Sequence, residues 1–144
     1  MTGDRSARMT FGMSKTDATS EQAILGLSFQ NIDSMPAEEL DKLPFGAIQL
    51  DPQGKVKNFN MYESQLSHLP KSTVIGRDFF REVAPCTDVK EFRGRFQEGV
   101  EKKFLHAKFN YHFAFKQDPR DVSVTLFYSD ITSSVWVFVQ PIGR

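Results

Sequence analysis

"AKFNYHFAFKQDPRDVSVTLFYSDITSSVWVFVQP", residues 107–141, decides the fold of this chain. In 107–116 the apolar rings Phe109, Tyr111, Phe113 and Phe115 recur at every second position, and in 121–129 Val122, Val124 and Leu126 do the same. Residues 134–141 form a β-branched and aromatic run. A period of two is the strand period, because successive side chains point to opposite faces of a sheet. Three consecutive strands therefore end the ordered part of the chain.

Working outward, "VKEFRGRFQEGVEK" (89–102) places Val89, Phe92, Phe96 and Val100 at spacings of three and four, an amphipathic helix with Asp88 positioned to cap it. Before it lie short pieces, "YESQLSHL", "KSTVIGRDFF" and "VAPCTD". Earlier still, "FGAIQLD" (45–51) and "KVKNFN" (55–60) alternate on either side of Pro52, Gln53 and Gly54, which predicts a β-hairpin turning at 51–54. Two helical stretches precede the hairpin. Ser20–Phe29 carries Ala23, Ile24 and Leu27, and "SMPAEELDKL" (34–43) has Ser34, Pro36 and Glu38-Glu39 as a start signal. Two strands, short helices, one longer helix and three strands describe an α+β, PAS-like domain: a five-stranded antiparallel sheet with short helices packed on one face and an N-terminal extension. A pocket in this arrangement lies between sheet and helices, where "VAPCTD" falls.

At 144 residues the chain is one domain with a tail. Residues 1–17 read as a weakly ordered extension and 18–144 as the domain with its N-terminal helical cap. The 18 basic and 18 acidic residues are interspersed and cancel, so no basic face invites nucleic acid and no polybasic run invites anionic lipid. No stretch approaches the roughly 20 apolar residues of a membrane helix. A single cysteine forms no internal disulfide, and the expected location is cytoplasmic. Fourteen phenylalanines against one Trp and three Tyr put the aromatic bulk into rings without a polar handle, a core able to enclose a flat aromatic ligand.

Taken alone, Cys86 is a small buried hydrophobe, Glu63 a solvated carboxylate, and the stripe 109–115 ordinary strand core. His68, His106 and His112 carry no catalytic signature, His68 reads as a surface imidazole, and no metal-ligand spacing or phosphate loop is present, so the chain reads as a non-enzyme.

Four strings change that reading: "PFGAIQLDPQGKVKNFN" (44–60), "VIGRDFFREVAPCTD" (74–88), "EFRGRFQEGV" (91–100) and "WVFV" (136–139). In this order the chain resembles the photoactive yellow protein family from about Ala18 to Val139. The resemblance implies a blue-light photoreceptor whose single cysteine, here Cys86, carries 4-hydroxycinnamic acid (p-coumaric acid) as a thioester. It implies that Glu63 is the buried acid that hydrogen-bonds the phenolate and later gives it a proton, after which the N-terminal cap loosens and a downstream signalling protein reads the change. Ser67 stands where the family has a threonine. Phe79, Phe80, Pro85, Tyr111 and Phe113 match the pocket wall, and Asn60 matches the supporting network. Two positions depart: Phe59 replaces a tyrosine donor to the phenolate, and Leu69 replaces an arginine over the pocket. Tyr62 is the phenol nearest Phe59 in sequence and would share its face if 59–62 were helical. The competing expectation is a light-insensitive PAS module for ligand binding or dimerisation, since one fold hosts many functions.

Overall fold

The computed structural model describes residues 32–114 and 119–142. The expected helix at 20–29, the extension 1–17 and the ring of Phe115 lie outside the described residues, as does the boundary between extension and domain.

Five antiparallel strands form one sheet in the order β2-β1-β5-β4-β3: β1 is Gly46–Leu50, β2 Val56–Phe59, β3 His106–Phe113, β4 Arg120–Ser129 and β5 Ser134–Pro141. The hairpin β1–β2 turns as its sequence predicts. Asp51 Oδ1 accepts from the backbone N–H groups of Gln53 and Lys55 at 2.9 Å each, and Gly54 takes φ +91°, a value that favours glycine. Between the strands run α1 (Ala37–Leu40), α2 (Met61–Ser67), α3 (Lys71–Val74) and α4 (Arg95–Lys102), together with a π-helical turn Phe79–Val83, a 3₁₀ turn Pro85–Thr87 and a second π-helical turn Lys90–Gly94 that leads into α4.

Register sorts the side chains between two faces. On one face Ile48 pairs with Val137, Val137 with Leu126, and Val139 with Val124. These residues join Phe79, Phe80, Val83, Phe92 and Phe96 from the helical pieces in the main core. Phe92 is its hub, with ring contacts to Phe79, Phe80, Phe109, Tyr111 and Phe113 at 5.3–6.2 Å between centroids. On the opposite face Ala47, Trp136 and Phe138 pack with Ile32, Leu40 and Phe45. The helical layer thus covers one face, as expected, and the segment 32–45 adds a smaller cluster on the other. Strands β1 and β5, central in the sheet, are buried on both sides, which is why β5 reads as an unbroken apolar run.

Two helix starts differ from their sequence signals. Ser34 precedes a helix that begins only at Ala37, with Pro36 as N-cap; proline's fixed φ suits that position, so the chain turns later than the serine suggests. Asp88 does not cap the long helix. Val89 occupies the cap position without a side-chain bond, while Asp88 Oδ1 accepts from Arg93 Nη1 at 2.9 Å. Asp78 does cap its own element, the π-helical turn Phe79–Val83, its Oδ1 accepting from the N–H groups of Phe80 and Arg81 at 3.0 and 3.1 Å.

Candidate functional site

The site is built from two turns that face the main core. The first is the start of α2. Asn60, the N-cap, is 1 % exposed and its amide group is fully engaged. Its Oδ1 accepts from Ala47 N at 2.9 Å and Glu63 N at 3.1 Å, and its Nδ2 donates to Leu40 O at 2.8 Å and Phe45 O at 3.0 Å. One side chain thereby fixes α2 against β1 and against the segment from the far face. Helix α2 then turns Glu63 inward over Gly46 of β1. A Cβ at Gly46 would overlap Glu63 Oε1, so only glycine leaves room for the carboxyl.

Glu63 is 1 % exposed, and its Oε1 has no hydrogen-bond partner among the described residues. Burial alone lifts its pKa from the usual 4.5 to about 8, so at neutral pH it holds its proton. A buried polar atom left without a partner costs on the order of 1–3 kcal/mol. Its retention here points to a function, and a neutral carboxylic acid in such a place can offer a hydrogen bond to a ligand.

The second turn carries Cys86. Asp78 initiates the π-helical turn that buries Phe79 and Phe80, and the chain then bends at Ala84 (φ −137°, ψ 73°) into the 3₁₀ turn opened by Pro85. Thr87 Oγ1 closes that turn by donating to Ala84 O at 2.7 Å. Cys86 is partly exposed. Its Sγ accepts from Ala114 N at 3.5 Å, and its carbonyl accepts from the hydroxyl of Tyr111. Burial foremost, and then the charges of Cys86 and Glu91, push the Tyr111 phenol above its usual range, which keeps it a donor.

The sequence-selected residues fall around these turns. Phe59, Phe79, Phe80 and Phe113 are buried in the main core, and Leu69, Tyr111 and Cys86 pack against it partly buried. Pro85 is exposed and sets the turn. Ser67 is buried, but its hydroxyl donates back to Glu63 O at 2.8 Å. Phe59 ends β2 and Asn60 caps the helix, so Phe59 and Tyr62 share no helical face. Tyr62 instead lines a surface groove with Gln65, Leu66, Arg120 and Pro141. His68 closes α2 with φ 62° and is exposed, His106 is exposed, and His112 Nδ1 lies 2.7 Å from Asp121 Oδ1. Among the described residues no group of three His, Cys, Asp or Glu could hold a metal, and no helix is long and apolar enough to cross a membrane.

Sequence reasoning missed the polar group at the far face, where Asp33 accepts from Trp136 Nε1 at 3.0 Å, Thr132 Oγ1 at 2.9 Å and Ser129 Oγ. No local pattern marks it, since its partners lie some hundred positions away. Glycine at position 46, inside the alternating run 45–51, was the available sign of the close approach by Glu63.

No family model matches the chain. Individual relatives do. The photoactive yellow protein of Halochromatium salexigens is 40% identical over 110 residues, 76% of this chain and 88% of that protein. That of Rhodothalassium salexigens is 42% identical over 102 residues, 71% and 82% of the two chains. Among solved structures, the photoactive yellow protein domain of the sensor histidine kinase Ppr from Rhodospirillum centenum superposes with a TM-score of 0.74 at 41% identity, covering 77% of this chain and 97% of that one. The PAS domain of the Cronobacter turicensis quorum-sensing receptor RpfR, at 14% identity and a TM-score of 0.57, covers 69% of this chain and 94% of its own and shares the fold. With a PAS-type sheet, an inward acid over a glycine and a lone cysteine at the head of an aromatic core, and with these identities over most of each relative, the chain belongs to the photoactive yellow protein family.

Proposed function

We propose that the chain is a blue-light photoreceptor that holds 4-hydroxycinnamic acid as a thioester on Cys86 and signals by loosening its N-terminal cap, and that it is not an enzyme. The observation that carries this reading is Glu63, fully buried, protonated at neutral pH and with one oxygen unmatched. An acid kept neutral in this way is fitted to donate to an anionic oxygen.

The residues present suit the group. Cys86 supplies a partly exposed thiol, Tyr111 and Ala114 hold its turn, Phe79, Phe80 and Phe113 supply aromatic walls, and Glu63 supplies the polar end. When bound, the cinnamoyl group supplies visible absorption, a double bond that light can isomerise, and a phenolic oxygen. Glu63 would hold that oxygen through its carboxyl proton and would be the group able to give that proton up. Loss of the proton leaves a carboxylate without a partner in an apolar site, an arrangement stable only if α2 and its surroundings move. Asn60 conveys that motion, because the same amide binds Glu63 N and the carbonyls of Leu40 and Phe45.

Phe59 and Leu69 adjust the pocket. Phe59 brings no hydroxyl, Ser67 directs its proton to the backbone of Glu63, and Leu69 brings no cation. Fewer donors disfavour a buried phenolate, so a share of the ligand is held as the neutral phenol in the dark, with a short-wavelength band that grows as pH falls. The output passes to a signalling protein, in line with the family domain found in a sensor histidine kinase.

The test is an absorption spectrum after adding activated 4-hydroxycinnamic acid to the chain and to Cys86→Ala, before and after a blue flash. A cysteine-dependent visible band that bleaches and returns supports the reading. An adduct without bleaching, or no adduct, replaces it with a light-insensitive PAS module.

A further inference from the structure

The two edges of the sheet are finished differently. At β2, an edge strand of four residues, the chain itself closes the outer side: Val56 N donates to Arg77 O at 2.9 Å, Gly76 N donates to Val56 O at 2.7 Å, and Lys55 bridges Asp78. Beside β3, eight residues long, lies no further strand among the described residues. Leu105 O accepts from Tyr128 N, so in the β3–β4 register the odd positions turn their backbone groups to β4 and the even positions turn theirs outward. The outward backbone groups of Asn110 and His112 meet no partner among the described residues. A long open edge is a template for another strand.

The helix-side flank of that edge is hollowed. A cavity of about 400 Å³ lies between residues 109–112 and the side chains of Glu91 and Arg95, and a second of about 290 Å³ continues past Ala107 to Phe104, which is 73 % exposed. Arg95 lines both. Its guanidinium sits 4.5 Å from the centre of the Phe109 ring and has no carboxylate partner among the described residues. Glu91 stands at the Tyr111 end, where its charge acts on the phenol, and it pairs with no cation among the described residues. Tyr111 is fixed in this wall because its hydroxyl donates to Cys86 O. Phe109 and Tyr111 are successive side chains on one face. The wall is therefore positive beside the first and negative beside the second.

We propose that the β3 edge from Phe109 to His112 docks an extended segment of a partner protein as a sixth strand, setting an acidic side chain on Arg95 and a basic one, two residues away, on Glu91. In this mode main-chain bonds supply affinity and alternate side chains supply selectivity. Charge disfavours a second copy as the occupant. Between His106 and Phe113 the chain carries Lys108 and no Asp or Glu, so a second β3 has nothing to offer Arg95 and brings another lysine to the edge. In an antiparallel sixth strand the basic residue precedes the acidic one, since such a strand passes Tyr111 before Phe109. The docking site is independent of the photoreceptor reading, because neither its walls nor its test needs a chromophore.

The probe is the peptide Val-Thr-Lys-Thr-Glu-Thr-Val, blocked at both ends and titrated into the full chain. Paired antiparallel, its threonines turn their N–H groups to the edge, while its Lys and Glu face Glu91 and Arg95. Affinity is read by the anisotropy of a dye-labelled copy, and placement by hydrogen exchange at the amides of Asn110 and His112. Saturating peptide slows exchange at these two amides about tenfold or more, and Arg95→Gln, which changes only an exposed side chain, weakens binding about tenfold. Peptides N-methylated at the threonines, or carrying Lys in place of Glu, lose binding; these controls leave the protein untouched and so decide the question even if Arg95→Gln fails to fold. No binding at millimolar peptide, binding that leaves the two amides unprotected, equal binding of either control peptide, or unchanged affinity in a folded Arg95→Gln overturns the proposal. Without peptide, protection of these amides that grows with protein concentration assigns the edge to a second copy, and protection independent of concentration assigns it to another segment of the same chain. Either result overturns the proposal as well.

Discussion

Replacing Glu63 with glutamine in the ligand-free chain isolates what the buried acid does to stability. The native carboxyl titrates at about 8 against 4.5 for an ordinary glutamate, and burial is the cause. Between those two pH values the native state keeps a proton that the unfolded state has released. Stability changes with pH in proportion to protons bound unfolded minus protons bound native, which is negative here, so it falls as pH rises. Below 4.5 both states are protonated and the penalty is absent; above about 8 both are ionised and it is complete. Each pH unit inside the window is worth about 1.4 kcal/mol. From pH 5 to pH 8 the wild type should therefore lose about 3 kcal/mol relative to Glu63→Gln, whose amide is neutral throughout.

The assay is urea unfolding of both chains at half-unit steps from pH 5 to 8. Every other ionisable group is common to the two proteins and cancels in the difference. A difference flat to within about 0.5 kcal/mol, the scale of ordinary surface effects, would refute the reasoning, because it would mean that Glu63 exchanges its proton as freely when folded as when unfolded.

In the loaded protein, Phe59→Tyr restores a donor to the pocket and should lower the pH midpoint of the short-wavelength band by about one unit or more, as read by a dark spectral titration. Phe92→Ala removes the ring that joins five others at 0 % exposure, and should cost about 3–5 kcal/mol by chemical denaturation. Gly46→Ala drives a methyl group into Glu63 Oε1. Because the clash falls on the end of a side chain, the chain should fold while Glu63 is displaced toward solvent, and the pH dependence described for the wild type should collapse toward that of Glu63→Gln.

Legibility of the sequence followed the range of the forces involved. The strands of 107–141 and the hairpin at 51–54 are set by alternation and turn residues within a few positions of each other, and both form where expected. Helix starts were less legible. Ser34 and Asp88 carry the right side chain for a cap, yet proline geometry moved one start to Ala37 and an ion pair with Arg93 drew the other aspartate away. Cys86 and Glu63 were found only through resemblance, since neither has a local pattern that separates it from packing or surface residues.

Glu63 and Asp33 show why such residues escape a reading by local pattern. Each is an acid whose character is made by atoms distant in sequence. Glu63 is kept neutral by burial over Gly46, 17 positions earlier, while Asp33 gathers donors from Ser129, Thr132 and Trp136 at the other end of the chain. Both are carboxyl groups, yet one has an oxygen left unmatched and the other accepts from three donors. The same sheet separates them, and Asn60 binds backbone of β1 and α2 together with the carbonyls of Leu40 and Phe45. A buried acid with an unmatched oxygen is poised to change state, and an acid that accepts from three donors is poised to resist change.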